Sequence, residues 1–161
     1  MRRHFIKANL RIKINYVRLI YNMFKEIDLN KSIHLMNVIA TYKFRISCKK
    51  DRKKTQRKIT DIIRSHHICW THHEYDRAIG NSIAHGSCPV KCKIYVGTHG
   101  QLLCVIKDKG NGFDYKDVIE KFRQHKMYYH HKGYGFRCYA RNEHLQVDWK
   151  NQGRTIILFY N

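Results

Sequence analysis

Four short elements recur in order along the second half of the chain: Asn81 in Asn-Ser-Ile-Ala-His-Gly, Asp108-Lys109-Gly110-Asn111-Gly112, Lys132 followed by Gly133-Tyr134-Gly135-Phe136, and Gly153-Arg154-Thr155. Their residue types include groups able to hold a cation, accept a hydrogen bond and let backbone approach a ligand closely. An amide oxygen such as that of Asn81 is a hard ligand suited to magnesium, which keeps several of its waters. A carboxylate such as Asp108 is a hydrogen-bond acceptor. Glycines let the backbone turn sharply and approach a ligand closely, and backbone N–H groups opening a helix form an anion site. Each element alone has an ordinary reading: a helix-surface asparagine, an Asp-Gly turn, a Gly-x-Gly turn, a β-branched residue in a strand. Their order carries the information.

The elements that must position these residues are legible from hydrophobic spacing. Apolar residues at three-to-four-residue intervals predict amphipathic helices over Ile14 to Phe24, Lys31 to Ile39, Arg52 to His66 and Glu74 to His85, the last carrying Asn81 and His85. Strict alternation of Tyr42, Phe44 and Ile46 with Lys43 and Arg45 predicts a half-buried strand over Thr41 to Ser47. Two hairpins follow, Val90 to Val96 with Leu102 to Ile106, and Glu143 to Trp149 with Thr155 to Tyr160. Asp108 then stands just past a strand and Thr155 opens the last one. Between the hairpins, Tyr115 to Lys132 is rich in Lys and His and partly helical in pattern.

Taken together, the four elements resemble the nucleotide site of the histidine-kinase-like ATPase superfamily, the Bergerat-fold group that includes histidine kinases, type II topoisomerase ATPase domains, a heat-shock chaperone and the anti-sigma-factor serine kinases. The small stand-alone serine-kinase branch is the most similar in look, and the likeness covers residues 41–161. It implies a two-layer α/β sandwich with a mixed sheet and helices on one face, preceded by a basic helical extension over residues 1–40. It also implies ATP and Mg2+ as ligands. Asn81 would hold the metal, Asp108 would accept from the adenine amino group, and Gly110, Gly112, Lys132, Gly133, Tyr134, Gly135 and Phe136 would surround base and phosphates. Thr155 would lie near the adenine, His85 would complete the helix motif, and Tyr115 to Lys132 would form a lid. The implied partner is a regulatory protein, a sigma factor or its anti-sigma antagonist, and a homodimer is allowed.

One departure separates binding from chemistry. Where kinase and ATPase members of that superfamily place a carboxylate one helical turn before the asparagine, this chain has Arg77. A guanidinium stays protonated and cannot act as a general base. The expectation is nucleotide binding with weak phosphotransfer or none.

Composition bounds the remainder. A length of 161 residues suits one domain with a short appendage, and 43% hydrophobic content suits a globular chain. The net charge of +20 is uneven: residues 1–60 hold 17 Lys and Arg against 3 Asp and Glu. Such a surface attracts polyanions, and a nucleic-acid-binding module using the basic amino-terminal segment is the alternative function. Cysteines 48, 69, 88, 92, 104 and 138 lack paired zinc spacing, so reduced thiols and no structural metal are expected. Apolar residues near the start are interrupted by Lys7, Arg11, Lys13 and Arg18, too often for a signal peptide or spanning helix. A cytoplasmic protein without membrane contact is the resulting expectation.

Overall fold

A computed structural model describes residues 23–69, 71, 74–124, 126 and 134–161. Element order is α1 (Leu29–Leu35), β1 (Val38–Ile46), α2 (Asp51–Ser65), α3 (Glu74–His85), β2 (Val90–Gly97), β3 (Leu102–Lys107), α4 (Tyr115–Arg123), α5 (Tyr134–Tyr139), β4 (Leu145–Lys150) and β5 (Thr155–Tyr160). The chain is thus α/β, built on one five-stranded sheet in the order β1-β2-β3-β5-β4.

Every strand pair is antiparallel, which corrects the expected mixed sheet. The reason lies in the connections. Helices α2 and α3 form a there-and-back excursion of 15 and 12 residues that returns the chain to the end of the sheet it left, so Ile46 closes β1 opposite Val90 opening β2. The other two close pairings are tight hairpins, β2 with β3 and β4 with β5, as their turn residues predict.

The helices also occupy both faces, rather than one. On one side, Ile59 and Ile62 of α2, Tyr75, Ala78 and Ile79 of α3, Val118 and Phe122 of α4, and Phe136 and Tyr139 of α5 meet the alternate strand residues Val90, Cys92, Ile94, Leu102, Cys104, Ile106, Ile156 and Leu158. On the other, Leu29, Ile33 and Met36 from the α1 region cover Tyr95, Leu103 and Ile157. Period-two alternation along each strand sorts the residues between these cores.

Residues 23–37, ahead of the sheet, pack into the same cores as the strands. A boundary after residue 40 falls inside β1, and Met23 and Phe24 belong to the larger core while Ile27 and Met36 belong to the smaller. Phe24 sits among Phe122, Phe136 and Trp149 at ring separations of 6.0, 5.5 and 5.7 Å. The backbone behind it is pinned by the Ile27 N–H, which donates to Asp148 Oδ2 at 2.8 Å. The helix expected over Ile14 to Phe24 lies, up to residue 22, outside the described residues. Among the described residues no helix is long and apolar enough to cross a membrane.

Truncating Phe24 to alanine empties the centre of this aromatic group, and loss of a buried Phe costs about 3 to 5 kcal/mol. A denaturant titration followed by circular dichroism should show that loss. A change under about 1 kcal/mol would detach residues 23–28 from the fold.

Candidate functional site

Asp108 stands immediately beyond β3, on the side of the sheet packed by α3. It is 8% exposed. Oδ1 accepts from the Gly110 N–H at 2.8 Å, a charge-assisted bond that folds the loop back on the carboxylate. The Asp108 N–H donates to the Arg154 carbonyl at 3.0 Å, and the Lys109 N–H donates to the Ser87 carbonyl at 3.2 Å. The loop after β3 is thereby tied to the end of α3 on one side and to the β4–β5 turn on the other. Oδ2 has no hydrogen-bond partner among the described residues.

Such closeness requires glycine at two positions. A Cβ on Gly86 would fall 2.5 Å from the Ser82 carbonyl oxygen and 2.7 Å from Asp108 Oδ1, and one on Gly110 would fall 2.6 Å from Gly86 Cα. Gly86 therefore meets Asp108 and Gly110, which lie more than twenty residues further along the sequence. Gly86 had no role among the site residues expected from sequence; its signal was the glycine ending Asn-Ser-Ile-Ala-His-Gly.

Asn81 lies one turn earlier on α3, exposed, and meets the third element. A Cβ on Gly135 of α5 would come 2.9 Å from Asn81 Nδ2, so the start of α5 and the asparagine abut. Beneath them is the Tyr139 hydroxyl, driven well above its ordinary pKa chiefly by burial, with Arg77 and the Asn81 amide among the groups that oppose the rise. His85 is exposed at the carboxyl end of the same helix. Gly112 is exposed in the loop, in a left-handed conformation at φ 75°.

Neither acid of α3 is placed as a proton acceptor. Glu74 is 1% exposed, and its Oε1 accepts from Asn142 Nδ2 at 2.9 Å while Oε2 accepts from the Tyr160 hydroxyl at 3.4 Å. Asp76 is held by Arg52 through both oxygens, at 3.1 Å from Nε and 2.7 Å from Nη2. Arg77 is exposed and turned to the Cys138 side of α5.

Three of the expected groups take positions away from the Asp108 loop. Thr155 faces the other side of the sheet: it pairs with Lys107, the residue before Asp108, and shares the parity of Ile157, which belongs to the smaller core. Its hydroxyl accepts from Asn151 Nδ2 at 3.0 Å and lines a hollow of about 740 Å³ together with Ile27, Leu29 and Val105. Ile156, one residue on, points to the Asp108 side. Phe136 is a core residue, stacked on Trp149 at 5.2 Å with an interplanar angle of 12°. The first half of the expected lid is a packed helix, since Val118 and Phe122 are buried and Lys121 pairs with Asp117 at 2.6 Å. Lys132, Gly133 and the Tyr134 side chain lie outside the described residues.

Among the described residues no group of three or more His, Cys, Asp or Glu side chains is arranged to hold a metal, so a cation here depends on Asn81 and on oxygens brought by a ligand. The buried Asp108 carboxylate, with one oxygen uncommitted, and the exposed Asn81 amide are the polar groups that this side of the sheet offers to a ligand. Compared with known proteins, the chain matches no family model, no curated protein and no solved structure.

Gly86→Ala should destabilise the fold by about 1 to 3 kcal/mol, because the added methyl meets a backbone carbonyl that cannot move aside as a side chain would. Chemical denaturation measures this, and an unchanged midpoint would show that the three-way junction is loose.

Proposed function

We propose that the chain is a Mg-ATP-binding regulatory protein of the histidine-kinase-like, Bergerat type, resembling the anti-sigma-factor serine kinases and acting by binding a partner protein. One observation supports this above the rest: Asn81 of α3 and Gly86 just after it, Asp108 and Gly110 after β3, and Gly135 of α5 lie on one side of the sheet. Two such meetings, Gly86 with Asp108 and Gly110, and Gly135 with Asn81, stand on the same side of the sheet.

In this reading Asp108 accepts from the adenine amino group through its uncommitted oxygen. Gly110, Gly112 and Gly135 let backbone lie against the nucleotide, and Asn81 offers its amide oxygen to magnesium, with His85 one turn beyond on α3. Bound magnesium would neutralise phosphate charge. The two-layer Bergerat sandwich is part of the same proposal; α5, with six residues, contributes backbone N–H groups more than a helix dipole.

Phosphate transfer to water or to a hydroxyl needs a group to take the proton. Arg77 cannot do so, Glu74 is buried in its bonds to Asn142 and Tyr160, and Asp76 is clasped by Arg52. Binding without rapid turnover follows, with nucleotide occupancy as the signal passed to the partner.

Asp108→Asn should weaken Mg-ATP binding by roughly 10- to 150-fold, the worth of a hydrogen bond to a charged group. Thr155→Val should leave it within about twofold, since that hydroxyl faces away. Calorimetry on both variants, each first shown to be folded, decides the matter; equal losses would mean that the nucleotide is not read from the Asp108 side. Rapid ATP hydrolysis by the native chain that Asn81→Ala abolishes would overturn the claim that no proton acceptor is in place.

A further inference from the structure

The half of the sheet that α1 leaves uncovered is a plane of cations. Arg45 of β1 stands directly opposite Lys91 of β2, which stands opposite Lys107 of β3. Two residues along, Lys43 of β1 is opposite Lys93 of β2. All five share the parity of Tyr95, Leu103 and Ile157, so they project from the face opposite Asp108. Lys43, Arg45, Lys91 and Lys107 are exposed, and Lys93 lies over the Tyr95 ring at 4.5 Å. With strands about 4.8 Å apart and alternate residues about 6.7 Å apart, five positive charges occupy an area of roughly 10 by 7 Å.

None of the five forms an ion pair among the described residues, whereas Lys150, the only cation on β4, in the same row beyond Thr155, is matched by Glu26 and Asp148 at 2.9 Å each. Like charges directly across a strand pair are destabilising. The arrangement is therefore one that an external polyanion would stabilise. Residues 1–22, immediately preceding, contain six Arg and Lys and no Asp or Glu, so they bring no counter-charge of their own.

We propose that this face docks a nucleic-acid duplex through its phosphodiester backbone. A regular row of cations matches a regular row of phosphates, whose affinity for such surfaces comes from counterion release. Aromatics on this face do not form an open stacking platform, because Tyr95 is buried beneath α1 and Lys93, which disfavours an unpaired strand. A membrane surface is disfavoured because the exposed large apolar side chains among the described residues, Leu35 at the end of α1 at 66% and Ile39 in β1 at 59%, lie at the end of the strand away from Arg45. Ile39 is six residues, or about 20 Å of strand, from Arg45. The proposal is independent of the nucleotide site, which lies on the other face.

Anisotropy of a short labelled DNA duplex, titrated with the full chain between about 50 and 200 mM salt, tests it. Binding should weaken steeply with salt. The triple substitution Arg45→Gln, Lys91→Gln and Lys107→Gln should lower the salt slope by roughly 2 to 3 and weaken binding at least roughly tenfold, since each phosphate left without its cation removes about 0.9 from the slope. A control triple on the exposed surface of α2, Lys53→Gln, Lys54→Gln and Lys58→Gln, removes the same net charge and should change the slope by less than about 1. All six positions are exposed, and Lys91→Gln alone gives a single-site version that lowers the slope by about 0.9. The proposal is overturned if the two triples act equally, if the native chain fails to bind duplex at low salt, if an unpaired strand competes better than duplex, or if the first triple abolishes binding to anionic lipid vesicles and spares the duplex.

Discussion

Five antiparallel strands in one continuous register leave each strand side chain only two places to go. That constraint organises the whole molecule. Even-numbered residues of β3 and β5 enter the larger core beneath α2 to α5, and odd-numbered ones turn to the side that α1 half covers. The same parity places the Asp108 carboxylate on the helical side and Thr155 on the other, although Thr155 pairs with Lys107, the residue just before Asp108. It also gathers Lys43, Arg45, Lys91, Lys93 and Lys107 onto one exposed surface. A slip of one residue would exchange every one of these assignments.

Within the larger core, backbone carries the convergence at the candidate site. Gly86 and Gly110 allow the end of α3 and the loop after β3 to touch, with the Asp108 carboxylate enclosed between them. Hydrogen bonds from that loop to Ser87 and Arg154 fix its position relative to both neighbours. Since the junction is made of main chain, it holds its shape without long side chains whose rotamers would have to be frozen. The acids on α3, by contrast, are spent on architecture: Glu74 joins α3 to Asn142 and to β5 through Tyr160, and Asp76 joins α3 to α2 through Arg52. A helix whose carboxylates brace the fold has none left to take a proton beside Asn81.

Much of the fold was legible in the sequence. Spacing located α3 at its observed ends, Glu74 and His85, and β5 at Thr155 and Tyr160, because amphipathic periodicity and strand alternation are local consequences of burial. Less legible were pairing direction and layer. Nothing local to Thr41–Ser47 says that β1 returns beside β2 antiparallel, or that Leu29, Ile33 and Met36 close a second core on the reverse face. Phe136 read as part of a glycine-rich ligand loop because its neighbours are glycines; its burial against Trp149, Phe24 and Phe122 depends on residues far away in the chain.

By itself, the sequence determined which chemical groups are present and in what order: an amide on a helix, a carboxylate and glycines past a strand, an arginine in place of a base, and an excess of cations. Those are properties of residue type and near-neighbour spacing. Tertiary structure alone decided which groups meet. It brought Gly86 against Asp108 and Gly135 against Asn81, turned Thr155 away, and aligned cations from three strands in one plane. Meetings of that kind are set by register and layer, which arise only when distant segments bury their apolar faces together.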